Sequence, residues 1–203
     1  EHYATNARKK MISMLLTVKD RQRCLKALGF YDGTVDGLEG RQTSRAYADL
    51  QAKYFIKPDD VDGKYGKNTD ILLRSAYNCR NSKYFKLLEF RCKCGGKYCT
   101  GFPAEVDINL VLGLNKLRAA AGSPLTITSG LRCKIWNAKQ GGASGSRHMQ
   151  GKAADIIGAP TSTAAKRKSI KATWMKQRNA RYTYCQEDST KYRMGNSVHV
   201  DVK

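Results

Sequence analysis

Two of the three histidines in this chain of 203 residues, His2, His148 and His199, stand in settings suited to chemistry. Ser146-Arg147-His148-Met149-Gln150-Gly151-Lys152-Ala153-Ala154-Asp155 puts an imidazole at the end of a loop and a carboxylate in the strand pattern that follows. His199 lies in Ser197-Val198-His199-Val200-Asp201-Val202, where alternate residues share a face. His199 and Asp201 then point together with Ser197, while the valines turn to the core. Two imidazoles and a carboxylate suit Zn2+, and a catalytic site needs three such ligands with a fourth position left for water. His148, Asp155 and His199 are the candidate ligands. On spacing alone a structural histidine on a strand is an equally good reading.

Cysteine is the other ligand type in excess. Of seven, Cys24 and Cys79 flank the first half, whereas Cys92, Cys94, Cys99 and Cys133 crowd the start of the second. Disulfides formed in an oxidising compartment fit this usage. A structural zinc site on Cys92, Cys94, Cys99 and Cys133 is the rival. The Cys-x-Cys spacing departs from the usual zinc knuckle, which favours disulfides.

These groups need elements to hold them. Residues 1–78 contain 14 Lys and Arg against 10 Asp and Glu, and the remainder 23 against 7, so the basic charge sits in the C-terminal part. A net charge of +20 calls for an anionic partner, and nucleic acid, wall polymer or acidic membrane would each satisfy it. The sequence offers no recognition-helix motif and no aromatic-rich RNA signature, which argues against nucleic acid. No apolar run approaches the ~20 residues of a membrane span. The first residues carry no secretory-signal pattern, so a leader is expected to be absent or already removed.

The first half echoes itself. Val35-Asp36-Gly37-Leu38-Glu39-Gly40-Arg41-Gln42-Thr43 recurs as Val61-Asp62-Gly63-Lys64-Tyr65-Gly66-Lys67-Asn68-Thr69. Each copy places glycines for positive-φ turns and a Thr expected to cap the helix after it. Ala46, Tyr47, Leu50 and Tyr54 follow the first copy at helical spacing, and Ile71, Leu72 and Ala76 the second; Met14, Leu15, Val18, Cys24, Leu25 and Leu28 predict a helix before both. The result is a three-helix module over residues 1–80.

In residues 81–203 a helix is expected from Val106 to Leu117, capped near Asp107, and another from Ala164 to Met175. Strands are expected at Pro124 to Thr128, Ala153 to Ile157 and Ser197 to Val202. Helix and sheet are mixed without βαβ regularity, so the fold class is α+β.

Leu28-Gly29-Phe30-Tyr31-Asp32-Gly33-Thr34-Val35-Asp36-Gly37, with Gly40 and Thr43, resembles the peptidoglycan-binding module attached to many wall hydrolases, over roughly residues 10–78. The resemblance implies that the module binds bacterial peptidoglycan. Ser146, His148, Gly151, Ala153 and Asp155, then His199-Val200-Asp201, together with Ser129-Gly130-Leu131-Arg132 and Asn137, resemble the zinc D-Ala-D-Ala carboxypeptidase family over roughly residues 84–203. That family includes L-alanyl-D-glutamate endopeptidases and shares its fold, with an antiparallel sheet, with hedgehog signalling domains. The resemblance implies zinc on His148, Asp155 and His199, and an Arg132 that grips a substrate carboxylate. Its rival is an arginine held in a structural salt bridge.

The chain departs from the family at one position. Some members carry an acid three residues before the last histidine to take a proton from activated water, and here that residue is Asn196, whose amide is no base. Asp201 is the first candidate to replace it, with a carboxylate that merely orients His199 as its rival reading. The function expected is a monomeric zinc peptidase that cuts peptidoglycan stem peptides, as carboxypeptidase or endopeptidase, secreted to the wall or released as a phage lysin. The alternative is an inactive wall-binding protein with a structural zinc.

Overall fold

The computed structural model describes residues 15–188 and 193–203, and the chain divides into two compact units after Tyr77. Met14, assigned above to the first helix, lies outside the described residues.

The first unit contains α1 (Val18–Ala27), α2 (Arg41–Tyr54) and α3 (Lys67–Cys79). Thr17 caps α1, its hydroxyl oxygen accepting from the Asp20 N–H. Leu25 from α1, Ala46, Tyr47 and Leu50 from α2, and Leu72, Leu73 and Ala76 from α3 are buried. Full burial of a leucine side chain contributes about 1.5–3 kcal/mol.

The sequence echo is a structural one. Buried Gln22 on α1 donates to Asp36 Oδ1 at 2.8 Å and to the Leu38 carbonyl at 3.0 Å, and accepts from the Gly37 N–H at 2.8 Å. Buried Gln51 on α2 repeats this with Asp62 at 2.9 Å, the Lys64 carbonyl at 3.1 Å and the Gly63 N–H at 2.8 Å. Each glutamine thus clamps one Asp-Gly turn, whose glycine takes positive φ (85° and 65°). The threonines do not cap, contrary to expectation. Gly40 is the N-cap of α2, both helices start two residues before the threonine, and Thr43 and Thr69 turn inward. The Thr69 hydroxyl accepts from Gln51 and donates to the Lys64 carbonyl, so it belongs to the clamp.

The second unit is α+β, as expected. Its elements are α4 (Ile108–Ala121), β1 (Leu125–Ser129), α5 (Lys134–Lys139), β2 (Ala153–Gly158), α6 (Ala164–Met175), β3 (Ala180–Cys185) and β4 (Val198–Val202). The strands form an antiparallel sheet in the order β1-β2-β4-β3. Asp107 caps α4 as the sequence suggests, its carboxylate accepting from the Asn109 N–H at 2.7 Å. Gly113 on α4 leaves room for the Trp174 ring of α6, which a Cβ there would meet at 2.9 Å. Trp174 is wholly buried, and its indole N–H donates to the Asp201 carbonyl on β4 at 3.2 Å. This packing fixes β4 as an inner strand, and all five of its residues are buried, His199 and Asp201 included.

Two elements went unrecognised in the sequence. Strand β3 has an irregular register between Ala180 and Tyr182, which breaks the alternation that would reveal it. Helix α5 is six residues long, too short to establish a period.

Candidate metal centre

Strand register builds the centre. Asp155 on β2 lies opposite His199 on β4, Ser129 on β1 lies opposite Asp155, and Tyr184 on β3 lies opposite His199. The four residues form one row across the sheet. His148 joins from a 3-10 turn, Arg147–Gln150, ended by Gly151 in the left-handed conformation. Gly151 has a second reason to be glycine: a Cβ would come within 1.7 Å of the Glu105 carbonyl oxygen.

The row and the turn bring three donor atoms together. His199 Nδ1 is 2.8 Å from Asp155 Oδ1, His148 Nε2 is 3.3 Å from the same oxygen, and the two ring nitrogens are 3.3 Å apart. Ligands about 2.0–2.1 Å from one tetrahedral zinc would stand about 3.3 Å from each other. All three residues are buried, and they lie at a cavity of about 600 Å3. The donor set fits zinc.

Each donor is held from behind. His148 Nδ1–H donates to the Gly130 carbonyl at 2.6 Å, which leaves the Nε2 lone pair facing the other two. Arg132 donates from Nη2 to Asp155 Oδ2 at 2.7 Å and from Nε to the Ser129 hydroxyl at 2.9 Å. Tyr184 stacks on His199, centroids 4.4 Å apart and planes 23° from parallel. Asn137 fastens the glycine-rich loop by donating to the Ala143 carbonyl at 2.9 Å.

Electrostatics ties the donors together further. Burial works against the Asp155 carboxylate, but hydrogen bonds and charge from His148 and His199 outweigh it and hold its pKa far below the usual range. Burial also opposes a charged His199, and hydrogen bonds to Asp155 and Asp201 overcome this and raise its pKa. A cation entering here competes with a proton on His199.

Two sequence expectations meet a different geometry. Arg132, expected to grip a substrate carboxylate, is closed onto Asp155, the ion pair weighed above as its rival reading. Asp201, the candidate base, lies at the other edge of the His199 ring, with Oδ2 3.5 Å from Nε2 and 3.1 Å from Arg181 Nη1. The remaining acids of this unit are engaged elsewhere. Glu89 accepts from the Lys86 N–H, Glu105 from Asn78, Asp107 caps α4, Glu187 pairs with Arg167, and Asp188 with Lys171. Asn196 Oδ1 accepts from buried Arg167 at 2.9 Å. None of the seven cysteines is in a disulfide, contrary to the favoured expectation.

An α+β fold with an antiparallel sheet thus gathers two imidazoles and one carboxylate at a cavity, a donor set that could hold one metal ion. Comparison with known proteins narrows the reading. A family model described as Peptidase M15 matches residues 83–201, and one described as Putative peptidoglycan binding domain matches residues 17–70. The chain belongs to the Peptidase M15 family. It is also 30% identical to a zinc D-Ala-D-Ala carboxypeptidase of Streptomyces albus G over an alignment of 145 residues that covers 67% of this chain and 56% of that protein. The chain thus matches just over half the length of that curated relative. Both resemblances read from the motifs hold, in the same N-to-C order.

Proposed function

We propose that the chain is a zinc-dependent peptidase that hydrolyses an amide bond in peptidoglycan stem peptides, with its first unit holding it on the wall polymer. The observation that carries the reading is the convergence of His148 Nε2, His199 Nδ1 and Asp155 Oδ1 within 2.8–3.3 Å at the cavity. Zinc bound by these three residues supplies Lewis acidity toward the scissile carbonyl and lowers the pKa of water to about 7. The fold's own contribution is to hold the donors: Gly130 sets the His148 tautomer, Arg132 occupies the second oxygen of Asp155, and Asp201 receives the far edge of His199. Arg181 and Arg193 also line the cavity, basic groups suited to a carboxylate-rich stem peptide. Binding through the first unit raises the local concentration of an insoluble substrate.

The same geometry favours Asp201 as a positioning residue rather than a base. It sits at the Nε2 edge of His199, whereas the donor atoms meet at Nδ1. This keeps open the alternative of a wall-binding protein that does no hydrolysis, because the amide of Asn196, bonded to Arg167, cannot act as a base.

One experiment separates the two. The full chain is incubated with purified wall and with defined stem peptides, and products are identified by mass spectrometry with chelator, without it, and after zinc is restored. Zinc-dependent release of D-Ala marks a carboxypeptidase, and new internal amino groups an endopeptidase. Retained wall binding with no product from zinc-loaded protein would refute the peptidase reading.

A further inference from the structure

A second cluster of metal-ligating side chains lies outside the centre just described. Cys92, Cys94 and Cys99 come from the loop after the 3-10 turn Leu87–Phe90, and Cys133 is the N-cap of α5. Their four sulfur atoms lie within 4.8 Å of one another. Cys94 Sγ and Cys99 Sγ are 3.5 Å apart, and the Cys133 N–H donates to Cys92 Sγ at 3.4 Å. Cys92, Cys94 and Cys133 are buried, and Cys99 is half-buried.

The arrangement fits one shared cation better than two disulfides. Sulfurs about 2.3 Å from a tetrahedral zinc stand about 3.8 Å apart, whereas a disulfide requires about 2.05 Å. Disulfides would bring sulfurs together in pairs and leave the pairs free to separate; here all four converge. The loop is shaped for it. Gly95 and Gly96 adopt positive φ (63° and 80°) between Cys94 and Cys99, the Lys97 N–H returns to the Cys94 carbonyl at 3.2 Å, and the Cys92 N–H donates to the Gly101 carbonyl at 2.8 Å. A tetrathiolate zinc carries a net charge of −2, and Arg91, Lys93 and Lys134 adjoin the ligands in sequence, with Lys97 two residues from Cys99.

We propose that Cys92, Cys94, Cys99 and Cys133 bind a structural Zn2+ as thiolates, releasing their protons to solvent. The cation staples the loop to the N-terminus of α5. The stapled segments are the ones that orient the first centre. Two residues before Cys92, the Phe90 carbonyl accepts from the Leu131 N–H at 2.7 Å, and Phe90 packs so tightly on Gly130 that a Cβ there would lie 2.6 Å from its Cα. Gly130 receives the His148 N–H, and Arg132, next to Cys133, holds Asp155. The tetrathiolate site thereby acts as a rigid backstop to the His148, Asp155 and His199 donors. That consequence rests on the function proposed above; the site itself does not.

The test uses the full chain purified under reducing conditions. Zinc is counted by elemental mass spectrometry in the wild type and in the double variant His148→Ala, His199→Ala. The expected result is two zinc ions per chain in the wild type and one in the double variant, the remaining ion released by a mercurial thiol reagent and not by brief exposure to a mild chelator. Cobalt(II) in the double variant should show intense sulfur-to-cobalt charge-transfer absorption, lost in a further Cys99→Ser change. If the double variant does not fold, the same absorption is sought in cobalt-loaded wild type, where the first centre offers no thiol. A double variant that folds and binds no metal, a cobalt spectrum without sulfur bands, or a mass about 4 Da low from two disulfides, which resist alkylation until reduced, would overturn the proposal. Failure to hydrolyse stem peptides would leave it standing and remove only the peptidase reading.

Discussion

Replacing Asp201 by asparagine distinguishes a carboxylate that orients His199 from one that moves a proton. The substitution keeps shape and removes charge. Asp201 Oδ2 faces His199 Nε2 at 3.5 Å, long for a hydrogen bond, with its side chain 3% exposed, and its other partner, Arg181 at 3.1 Å, is half-exposed and can return to water. Loss of a carboxylate behind a ligating histidine typically weakens metal binding by about 10–100-fold. The long contact places this case at the low end, about tenfold or about 1.4 kcal/mol. A general base would behave otherwise, with kcat falling by about 10²–10⁴ and zinc affinity unchanged. Zinc affinity is read by competition with a chromophoric chelator, and kcat on a defined stem peptide at saturating zinc, with near-UV circular dichroism as the check on folding. The expected result for Asp201→Asn is zinc bound about tenfold more weakly and kcat restored to near the wild-type value when zinc is in excess. Unchanged zinc affinity with kcat reduced more than a hundredfold would refute the positioning role.

Three further outcomes follow from the same geometry. Hydrogen bonding from Arg167, foremost, and from Cys185 holds Glu187 down at about 2 against an ordinary 4.5, so its contribution to stability is full above 4.5 and lost as pH falls toward 2; the difference in Tm between wild type and Glu187→Gln should therefore close on acidification, and a difference that widens would contradict the pairing. Gly151→Ala should destabilise the second unit by about 1–2 kcal/mol for its positive φ and by about 1–3 kcal/mol more for overpacking against Glu105, whereas Gly122→Ala, at φ 62° with open space around it, should cost only the first amount; equal losses by denaturant titration would refute the close approach. Gln51→Ala should destabilise the first unit by roughly 1–3 kcal/mol, because it strips partners from the Gly63 N–H and the Lys64 carbonyl, and Gln22→Ala should do the same at the other turn; loss at only one of them, by hydrogen exchange, would deny the repeat its structural equivalence.

Much of the fold was legible because its signals are local. The two Asp-Gly turns, the Asp107 cap of α4 and the valines of β4 each announce themselves within a few residues. The candidate donors stand out for a related reason: with three histidines in the chain, the settings of His148 and His199 are conspicuous against a lysine-rich background. What escaped depended on partners distant in sequence. Thr43 and Thr69 read as caps because a hydroxyl beside a helix start has that role locally, while the buried glutamines that claim the turns, one of them also bonded to Thr69, come from helices the motif does not contain. Tyr184 was invisible because β3 carries an irregular register, and only strand pairing sets its ring against His199.

The same distinction separates the roles expected for Arg132 (from the family resemblance) and for Asp201 from the contacts these side chains make. A motif resemblance, or an acid two residues from a candidate ligand, suggests direct chemistry without saying which atoms meet. Register decides which atom meets which. Ser129 opposite Asp155 brings Arg132, three residues on, within reach of Asp155 Oδ2, and Asp155 opposite His199 turns the Nδ1 edge of that ring toward the donors and its Nε2 edge toward Asp201. Both residues are thereby drawn behind the ligands. The four cysteines follow the same rule from the other direction. As spacing, Cys92 and Cys94 argue against a zinc knuckle and leave the four-cysteine set only a rival to disulfides; the β1–α5 connection carries Cys133, 41 residues along the chain from Cys92, to the others, so that the four sulfurs lie within 4.8 Å of one another.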